Sequence, residues 1–168
     1  VLSWVLYLHR DMHFYRIQQN KRIWKENDYI KPSKKIVSFI GLGELGSASA
    51  VKLIKNGFNV CGWSRGKKNI SKVKSFTGEL GLKKMLKQTD ILVCLIPLTK
   101  QTKYLLNYKT LSYLKRGASI INFARGAVIN VKDLVRHLNS GKIKHAVLDV
   151  FEQEPLPKAS ILWKHKNV

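Results

Sequence analysis

The chain has 168 residues, a length that suits one domain of ordinary size. Apolar residues make up 45% of the chain and charged residues 24%, so a packed core is expected and wholesale disorder is excluded. Lys and Arg number 31 against 10 Asp and Glu, which gives a net charge of +21. No apolar run approaches the roughly 20 residues that a membrane-spanning helix needs, so no membrane partner is expected. The first residue is Val rather than Met, and we expect the sequence to be an internal piece of a longer protein.

The first 31 residues are predicted to form a helix and a linker. Apolar residues recur at three-four spacing over residues 2–23, which predicts one amphipathic helix. A polar stretch follows, and Pro32 prevents the helix from continuing. The rest of the chain, residues 32–168, is predicted to form a single α/β domain.

Apolar β runs alternate with helical segments from residue 36 onward. The predicted strands are 36–40, 58–63, 73–76 (the weakest), 91–96, 118–123 and 145–150, and the predicted helices are 46–56, 80–87, 108–114 and 130–138. Gly57 is expected to cap the first of these helices, and Asp133 to complete a variant capping box at the last. Several strands are apolar on both faces, which is typical of a doubly wound parallel sheet with helices on both sides.

A glycine-rich turn connects the first predicted strand to the helix that follows it. Gly41, Gly43 and Gly46 match G-x-G-x-x-G, with Glu44 and Leu45 between the last two glycines. In this context the first glycine permits a tight turn, the second lets a pyrophosphate approach the backbone, and the third lets helix and strand pack closely. The amide groups at the helix N-terminus favour an anion. The pattern predicts a Rossmann-type dinucleotide-binding domain, with a ligand-free glycine turn as the alternative.

The end of the second strand indicates which dinucleotide is bound. NAD-binding chains usually carry an acidic residue there, which accepts hydrogen bonds from the ribose hydroxyls. This chain instead has Ser64 and Arg65, followed by Lys67 and Lys68. A guanidinium and a hydroxyl suit a 2′-phosphate, so the sequence predicts NADP(H) in preference to NAD(H). The alternative is that these basic residues form only another solvent-exposed cluster that binds no cofactor.

Four stretches of the chain resemble the D-isomer-specific 2-hydroxyacid dehydrogenases. They are residues 4–11 (WVLYLHRD), 61–65 (CGWSR), 121–126 (INFARG) and 148–157 (LDVFEQEPLP). The resemblance covers essentially the whole chain. It implies a Rossmann domain preceded by an interdomain helix, and reduction of a small 2-oxo acid (glyoxylate or hydroxypyruvate) by hydride transfer from NADPH. By analogy, the first helix is expected to contribute to a homodimer.

The resemblance also assigns roles to particular residues. It implies that Arg125 binds and polarises the 2-oxo acid, and that Glu154 sets the pKa of a histidine proton donor, with Glu152 the less favoured candidate. The family's histidine follows shortly after the position that matches residue 168, so no histidine of this chain takes that role. Asp149 is expected to bind the nicotinamide amide.

Pro97 and Ala124 complete the expected cofactor-binding set, since each follows a predicted strand. Cys61 and Cys94 lie inside predicted strands and are expected to be buried and reduced, which favours a cytoplasmic location.

Three alternatives stay open at this point. The chain could be a truncated, non-catalytic dinucleotide-binding module, or it could belong to another branch of the superfamily, such as the phosphoglycerate, lactate or formate dehydrogenases. The charge of +21 could also mark a nucleic-acid binder. Because the lysines are scattered and accompany no recognition motif, no specific nucleic acid is expected, and only weak binding at low salt should occur.

Overall fold

A computed structural model describes residues 1–168, and its centre is one parallel β-sheet. The strands are β1 (Ile36–Ile40), β2 (Asn59–Trp63), β3 (Val73–Phe76), β4 (Ile91–Cys94), β5 (Ala118–Asn122) and β6 (Ile143–Leu148). They lie in the order β3-β2-β1-β4-β5-β6, and every neighbouring pair is parallel. This is the strand order of a Rossmann fold, so the fold class predicted from the sequence is confirmed.

Helices cover both faces of the sheet. They are α1 (Leu2–His9), α2 (Met12–Asn20), α3 (Glu44–Lys55), α4 (Gly78–Leu86), α5 (Tyr108–Ser112) and α6 (Val131–Asn139). One apolar core joins α1 and α3 to side chains such as Val37 and Phe39, and a second joins α4, α5 and α6 to side chains such as Ile40 and Leu92. Because successive strand residues point to opposite faces, a strand buried on both sides is expected to be mostly apolar.

The predicted single N-terminal helix over residues 2–23 is wrong, because the chain breaks into α1 and α2. Asp11 adopts a left-handed conformation with a φ of 52° at the break. Its carboxylate accepts a hydrogen bond of 2.6 Å from the Lys144 side chain, which lies in β6. The apolar spacing continues through the break, so the sequence pattern did not reveal it. We refer to α1, α2 and the turn between them as the N-terminal hairpin.

Other element boundaries shift by a few residues. Gly57 caps α3 as predicted, with a φ of 84° and an amide bonded to the Ile54 carbonyl at 2.9 Å. The predicted capping box at α6 is only half formed. Asn130 accepts from the Asp133 amide, but the Asp133 carboxylate accepts from the backbone amide of Tyr108 at the start of α5 instead of turning back to Asn130.

Asp90 joins the amino ends of three neighbouring strands. Its carboxylate accepts hydrogen bonds from the Ile36 amide at 2.8 Å and the Lys115 side chain at 3.1 Å, and its carbonyl accepts from the Ser119 amide at 2.9 Å. These contacts fix the edge of the sheet opposite to the carboxyl ends of the strands.

The two cysteines are free and buried, Cys61 in β2 and Cys94 in β4, as expected. Burial raises the pKa of the Cys94 thiol to about 12 and also raises the pKa of Cys61. Of the six helices, none combines the length and the apolar character that crossing a membrane requires.

Candidate dinucleotide site

A cavity of about 750 Å³ opens at the carboxyl ends of β1, β2 and β4. Since β1 and β4 are adjacent in the sheet, the chain leaves them toward strands on opposite sides, and a crevice forms between their loops. Its lining includes the predicted residues Gly41, Gly43, Ser64, Arg65 and Pro97. The structure therefore brings together Gly41 and Pro97, which are 56 positions apart in the sequence.

The three glycines of the turn meet different physical demands. Gly41 has a φ of 106°, and a Cβ on it would lie 2.5 Å from the Leu95 carbonyl oxygen. A Cβ on Gly46 would lie only 2.1 Å from the Gly41 carbonyl oxygen, so the third glycine lets α3 pack against the turn. A Cβ on Gly43 would meet no atom within 4 Å. The second glycine is thus not needed for packing, and it leaves free space beside the backbone where a pyrophosphate would fit.

The N-terminus of α3 points its free amides toward this space. Gly43 is the N-cap, and no side chain caps the helix there. The first-turn amides are consequently available to a ligand, and the helix dipole places partial positive charge beside them. Glu44 and Leu45, also predicted to contact the cofactor, are exposed at the first two positions of the helix.

The loop after β2 is basic and lacks an acid. The Ser64 hydroxyl donates to the Gly66 carbonyl at 2.8 Å, which holds the loop in a tight turn. Arg65, Lys67 and Lys68 are exposed, line the cavity, and take part in none of the ion pairs in the structure. No Asp or Glu lines the cavity. Three unpaired cations next to a helix N-terminus favour a ligand with several negative charges.

The loop after β4 supplies residues that the sequence analysis missed. The Thr102 hydroxyl donates to the Pro97 carbonyl at 2.7 Å and accepts from the Thr99 amide at 2.7 Å, so this pair of threonines shapes the loop around Pro97. Thr99 and Thr102 both line the cavity. A Thr-x-x-Thr spacing directly after a strand that ends in Pro was the available signal, since such hydroxyls commonly bond to nearby backbone groups.

Arg125 lies three residues beyond the end of β5, at the same edge of the sheet. It is exposed, and its guanidinium donates to the Ala124 carbonyl at 2.7 Å. Ala124 itself is buried. The side chain of Asn122, the last residue of β5, accepts from the Ala124 amide and donates to the Arg125 carbonyl, each at 3.1 Å. Asn122 was not singled out from the sequence.

The loop after β6 contacts the Arg125 loop. A Cβ on Gly126 would lie 1.9 Å from the Phe151 carbonyl carbon, which means that the two backbones touch. The Glu154 carboxylate accepts from the Phe151 amide at 2.8 Å, and the Glu152 carboxylate accepts from the Tyr104 hydroxyl. Both carboxylates are exposed.

Asp149 follows β6 directly and is exposed, and its amide donates to the Asn122 carbonyl at 3.2 Å. It lines a second cavity of about 410 Å³ rather than the one beside the glycine turn. Arg125, Asp149 and Glu154 thus share the carboxyl edge of the sheet with the glycine turn but do not share its cavity.

The histidines occupy packing positions rather than the 750 Å³ cavity. His13 stacks on His145 with ring centroids 4.2 Å apart, and His9 meets Phe58 edge-on at 5.0 Å. His137 bonds to the Tyr108 carbonyl at 3.0 Å, and His165 bonds to the Asn139 side chain at 3.1 Å. Burial, together with the neighbouring His13 and Lys144, lowers the pKa of His145 to about 4.

Comparison with known families now identifies the domain. The family model for the NAD-binding domain of the D-isomer specific 2-hydroxyacid dehydrogenases matches residues 2–168. The chain belongs to this family. A nicotinamide dinucleotide is therefore the cofactor of the domain, and the expectation drawn from the glycine turn and the sequence stretches is confirmed at that level.

The chain is also similar to named bacterial proteins. It is 39% identical to glyoxylate/hydroxypyruvate reductase A of Yersinia enterocolitica over 168 residues, which cover 54% of that protein. It is 40% identical to glyoxylate/hydroxypyruvate reductase A of Salmonella typhi over 166 residues, which cover 53% of that protein. It thus spans about half the length of these curated relatives.

Two solved structures give the same view of the fold. A D-isomer specific 2-hydroxyacid dehydrogenase from Xanthobacter autotrophicus, in complex with NADPH and MES, superposes with a TM-score of 0.98 at 41% identity, covering 100% of this chain and 53% of that one. An NADPH-dependent glyoxylate/hydroxypyruvate reductase from Sinorhizobium meliloti, in complex with NADP and sulfate, gives 0.96 at 35% identity, with 100% and 54% covered.

Proposed function

We propose that this chain is the cofactor-binding part of a reductase that transfers hydride from NADPH to a small 2-oxo acid, glyoxylate or hydroxypyruvate. In this proposal residues 1–31 form the N-terminal hairpin and linker, and residues 32–168 form the Rossmann domain. The observation that carries the proposal is the glycine-lined crevice, with its three unpaired cations, at the same sheet edge as Arg125. The relatives named as glyoxylate/hydroxypyruvate reductases support the substrate class.

The nicotinamide supplies the hydride when the cofactor is bound. The planar guanidinium of Arg125 suits a 2-oxo acid, because it can bond to the carboxylate and polarise the neighbouring carbonyl. Glu154 is exposed, and its bond to the Phe151 amide orients it, so one carboxylate oxygen stays available to hold a histidine in its protonated form. Asp149 is proposed to accept a hydrogen bond from the nicotinamide amide.

The proposed role of Arg125 is tested with protein expressed from the complete gene. NADPH oxidation is followed by absorbance with glyoxylate and with hydroxypyruvate. Arg125→Gln is expected to lower kcat/KM by about 10²–10³, since it removes a charged group that stabilises the developing oxyanion. The dissociation constant of NADPH should change by less than threefold. A protein that binds NADPH but oxidises it with no 2-oxo acid would instead be the non-catalytic module.

NADP(H) is the proposed preference because Arg65, Ser64, Lys67 and Lys68 line the cavity without an acidic residue. The relatives from Xanthobacter and Sinorhizobium were solved with NADPH and NADP. Fluorescence titration should show tighter binding of NADPH than of NADH. Arg65→Gln should weaken NADPH about tenfold and leave NADH within twofold, because only NADPH carries the 2′-phosphate.

A matched control for this substitution is Lys55→Gln. Lys55 is an exposed cation in the last turn of α3, away from the cavity. It removes the same charge from the protein, so it reports the effect of net charge alone. Equal weakening of NADPH and NADH by Arg65→Gln would remove the basis for the NADP(H) preference.

The proposed homodimer rests on the N-terminal hairpin and the linker after it. Their large apolar side chains are unusually exposed, at 48% for Met12, 52% for Ile23 and 93% for Trp24. Such a surface normally marks a contact with another chain. Sedimentation of the complete protein should give a dimer, and Trp24→Ser should weaken it. The cytoplasmic location stays a prediction, supported by the two buried free thiols.

A further inference from the structure

The carboxamide of Asn122 holds the Arg125 loop at the end of β5. Its oxygen accepts from the Ala124 amide at 3.1 Å, and its nitrogen donates to the Arg125 carbonyl at 3.1 Å. The Asn122 backbone carbonyl accepts from the Asp149 amide at 3.2 Å. One residue is thus bonded to three residues of the proposed site, and these three lie on two different loops.

These contacts replace the bonds of the sheet at the point where the chain leaves it. The Phe123 amide still bonds to the Cys94 carbonyl of β4 at 3.3 Å. One residue later, the Ala124 amide turns to the Asn122 side chain instead of to a neighbouring strand. The backbone direction at Arg125 is therefore set by this side chain and not by the strand ladder.

Only a carboxamide satisfies both groups. A backbone amide needs an acceptor and a backbone carbonyl needs a donor, and the Asn side chain carries one of each on a single plane. The whole residue is 1% exposed, so water cannot readily replace either bond. Aspartate has nearly the same shape and could still accept from the Ala124 amide, but its second carboxylate oxygen would face the Arg125 carbonyl, where a donor is needed. Alanine would leave both groups unpaired.

We propose that Asn122 is a positioning residue for catalysis, which acts by fixing the backbone of residues 124–125 so that the Arg125 guanidinium is presented to the 2-oxo acid. Asn122 does not touch the substrate in this proposal. The inference rests on the proposed role of Arg125, and it adds a residue whose effect on turnover must pass through that arginine.

The test is a double-mutant cycle in the protein expressed from the complete gene. Asn122→Ala and Asn122→Asp are each made alone and combined with Arg125→Gln. Each single Asn122 variant should lower kcat/KM for glyoxylate by about 10–100-fold while the NADPH dissociation constant changes by less than threefold. In the Arg125→Gln background, the same substitutions should lower kcat/KM by less than threefold, because the group that Asn122 positions is already absent.

A structural control separates positioning from loss of stability. Thr89 is fully buried at the opposite end of the sheet, and its hydroxyl bonds to Ser38 and to the Met85 carbonyl. Thr89→Val should lower the melting temperature with little change in kcat/KM. Each variant is assayed well below its own melting temperature, so that unfolded protein does not lower the measured kcat/KM. If Asn122→Ala folds poorly, Asn122→Asp still tests the proposal, because it preserves the side-chain volume.

Equal fractional losses from the Asn122 substitutions in both backgrounds would overturn the proposal, since they would show an effect independent of Arg125. Wild-type kcat/KM in Asn122→Asp would overturn it as well. The proposed function fails in a different way, namely if the complete wild-type protein oxidises NADPH with no 2-oxo acid. Full activity of Arg125→Gln would instead remove the role proposed for Arg125.

Discussion

Substituting alanine at two neighbouring glycines should separate ligand binding from folding. At Gly43 the backbone has an ordinary φ of −73°, and an added Cβ would meet no protein atom within 4 Å. At Gly46 the added Cβ would lie 2.1 Å from the Gly41 carbonyl oxygen, a backbone atom that cannot move aside without displacing the turn. The same methyl group is therefore harmless to the fold at one position and incompatible with it at the other.

The expected magnitudes follow from these distances. Gly43→Ala should lower the free energy of unfolding by about 0.5–1 kcal/mol, because alanine is a poorer helix N-cap than glycine. It should raise that free energy by a similar amount, because alanine makes the unfolded chain less flexible. Stability should therefore be nearly unchanged. The methyl group would block the approach of a phosphate to the amides, and the loss of one charge-assisted hydrogen bond, about 1.5–3 kcal/mol, lowers affinity about 10–100-fold. Gly46→Ala should cost about 2–3 kcal/mol of stability through overpacking, a fall in melting temperature of about 5–10 °C.

Two measurements on each variant decide the matter. Thermal unfolding by circular dichroism reports stability, and NADPH fluorescence titration reports affinity. The reasoning is refuted if Gly43→Ala binds NADPH as tightly as the wild type, because the free space at Gly43 would then not be where the pyrophosphate lies. It is equally refuted if Gly46→Ala melts at the wild-type temperature.

Three further outcomes are expected. The folded-state pKa of His145, about 4, lies below the unfolded value of 6.5, so the unfolded chain takes up a proton first as the pH falls. The free energy of unfolding should therefore fall as the pH drops from 6.5 to 4. His145→Gln should make this dependence on pH less steep, which denaturant titrations at several pH values would show. Gly126→Ala should destabilise the protein, because its Cβ would lie 1.9 Å from the Phe151 carbonyl carbon. Gly66→Ala should not, because its Cβ would meet nothing within 4 Å. Melting curves of the two variants would show this difference. Because the pKa of Cys94 is raised to about 12, iodoacetamide should label it at mildly alkaline pH only after unfolding, which mass spectrometry detects.

The strands and the glycine turn were predictable because their signals are local. A run of apolar residues buried on both faces, followed by glycines at fixed spacing, needs no information from the rest of the chain. The break between α1 and α2 was not predictable in this way. It coincides with a contact between Asp11 and Lys144, residues 133 positions apart, and no local pattern contains that pairing.

Strand ends were less predictable for the same reason. The predicted fourth strand continued to residue 96, but β4 ends at Cys94. The Leu95 amide makes a bond to the Ile40 carbonyl at 2.8 Å, and β1 itself ends at Ile40, so no neighbour remains beyond that point. The length of a strand depends on its partner as well as on its own sequence.

At the candidate site, sequence reasoning singled out residues with conspicuous chemistry and missed residues that contact them. Arg125 and Glu154 attract attention because they are charged and lie in recognisable stretches. Asn122 does not, since it is a single polar residue at the end of an apolar strand, and its proposed positioning role depends on which backbone groups it meets. Thr102 was overlooked for the same reason, because its contact with Pro97 exists only once the loop is folded.

The free space at Gly43 has a consequence for how the protein can change over time. The surface that would meet the phosphates is made of peptide groups, which every residue possesses, and its shape depends on Gly41 and Gly46, where a Cβ would collide with backbone atoms. The groups proposed to distinguish one nucleotide from another, such as Arg65, are exposed side chains that form no ion pair within the protein. Mutation can therefore alter the choice of coenzyme within a lineage while the capacity to hold a diphosphate is inherited unchanged.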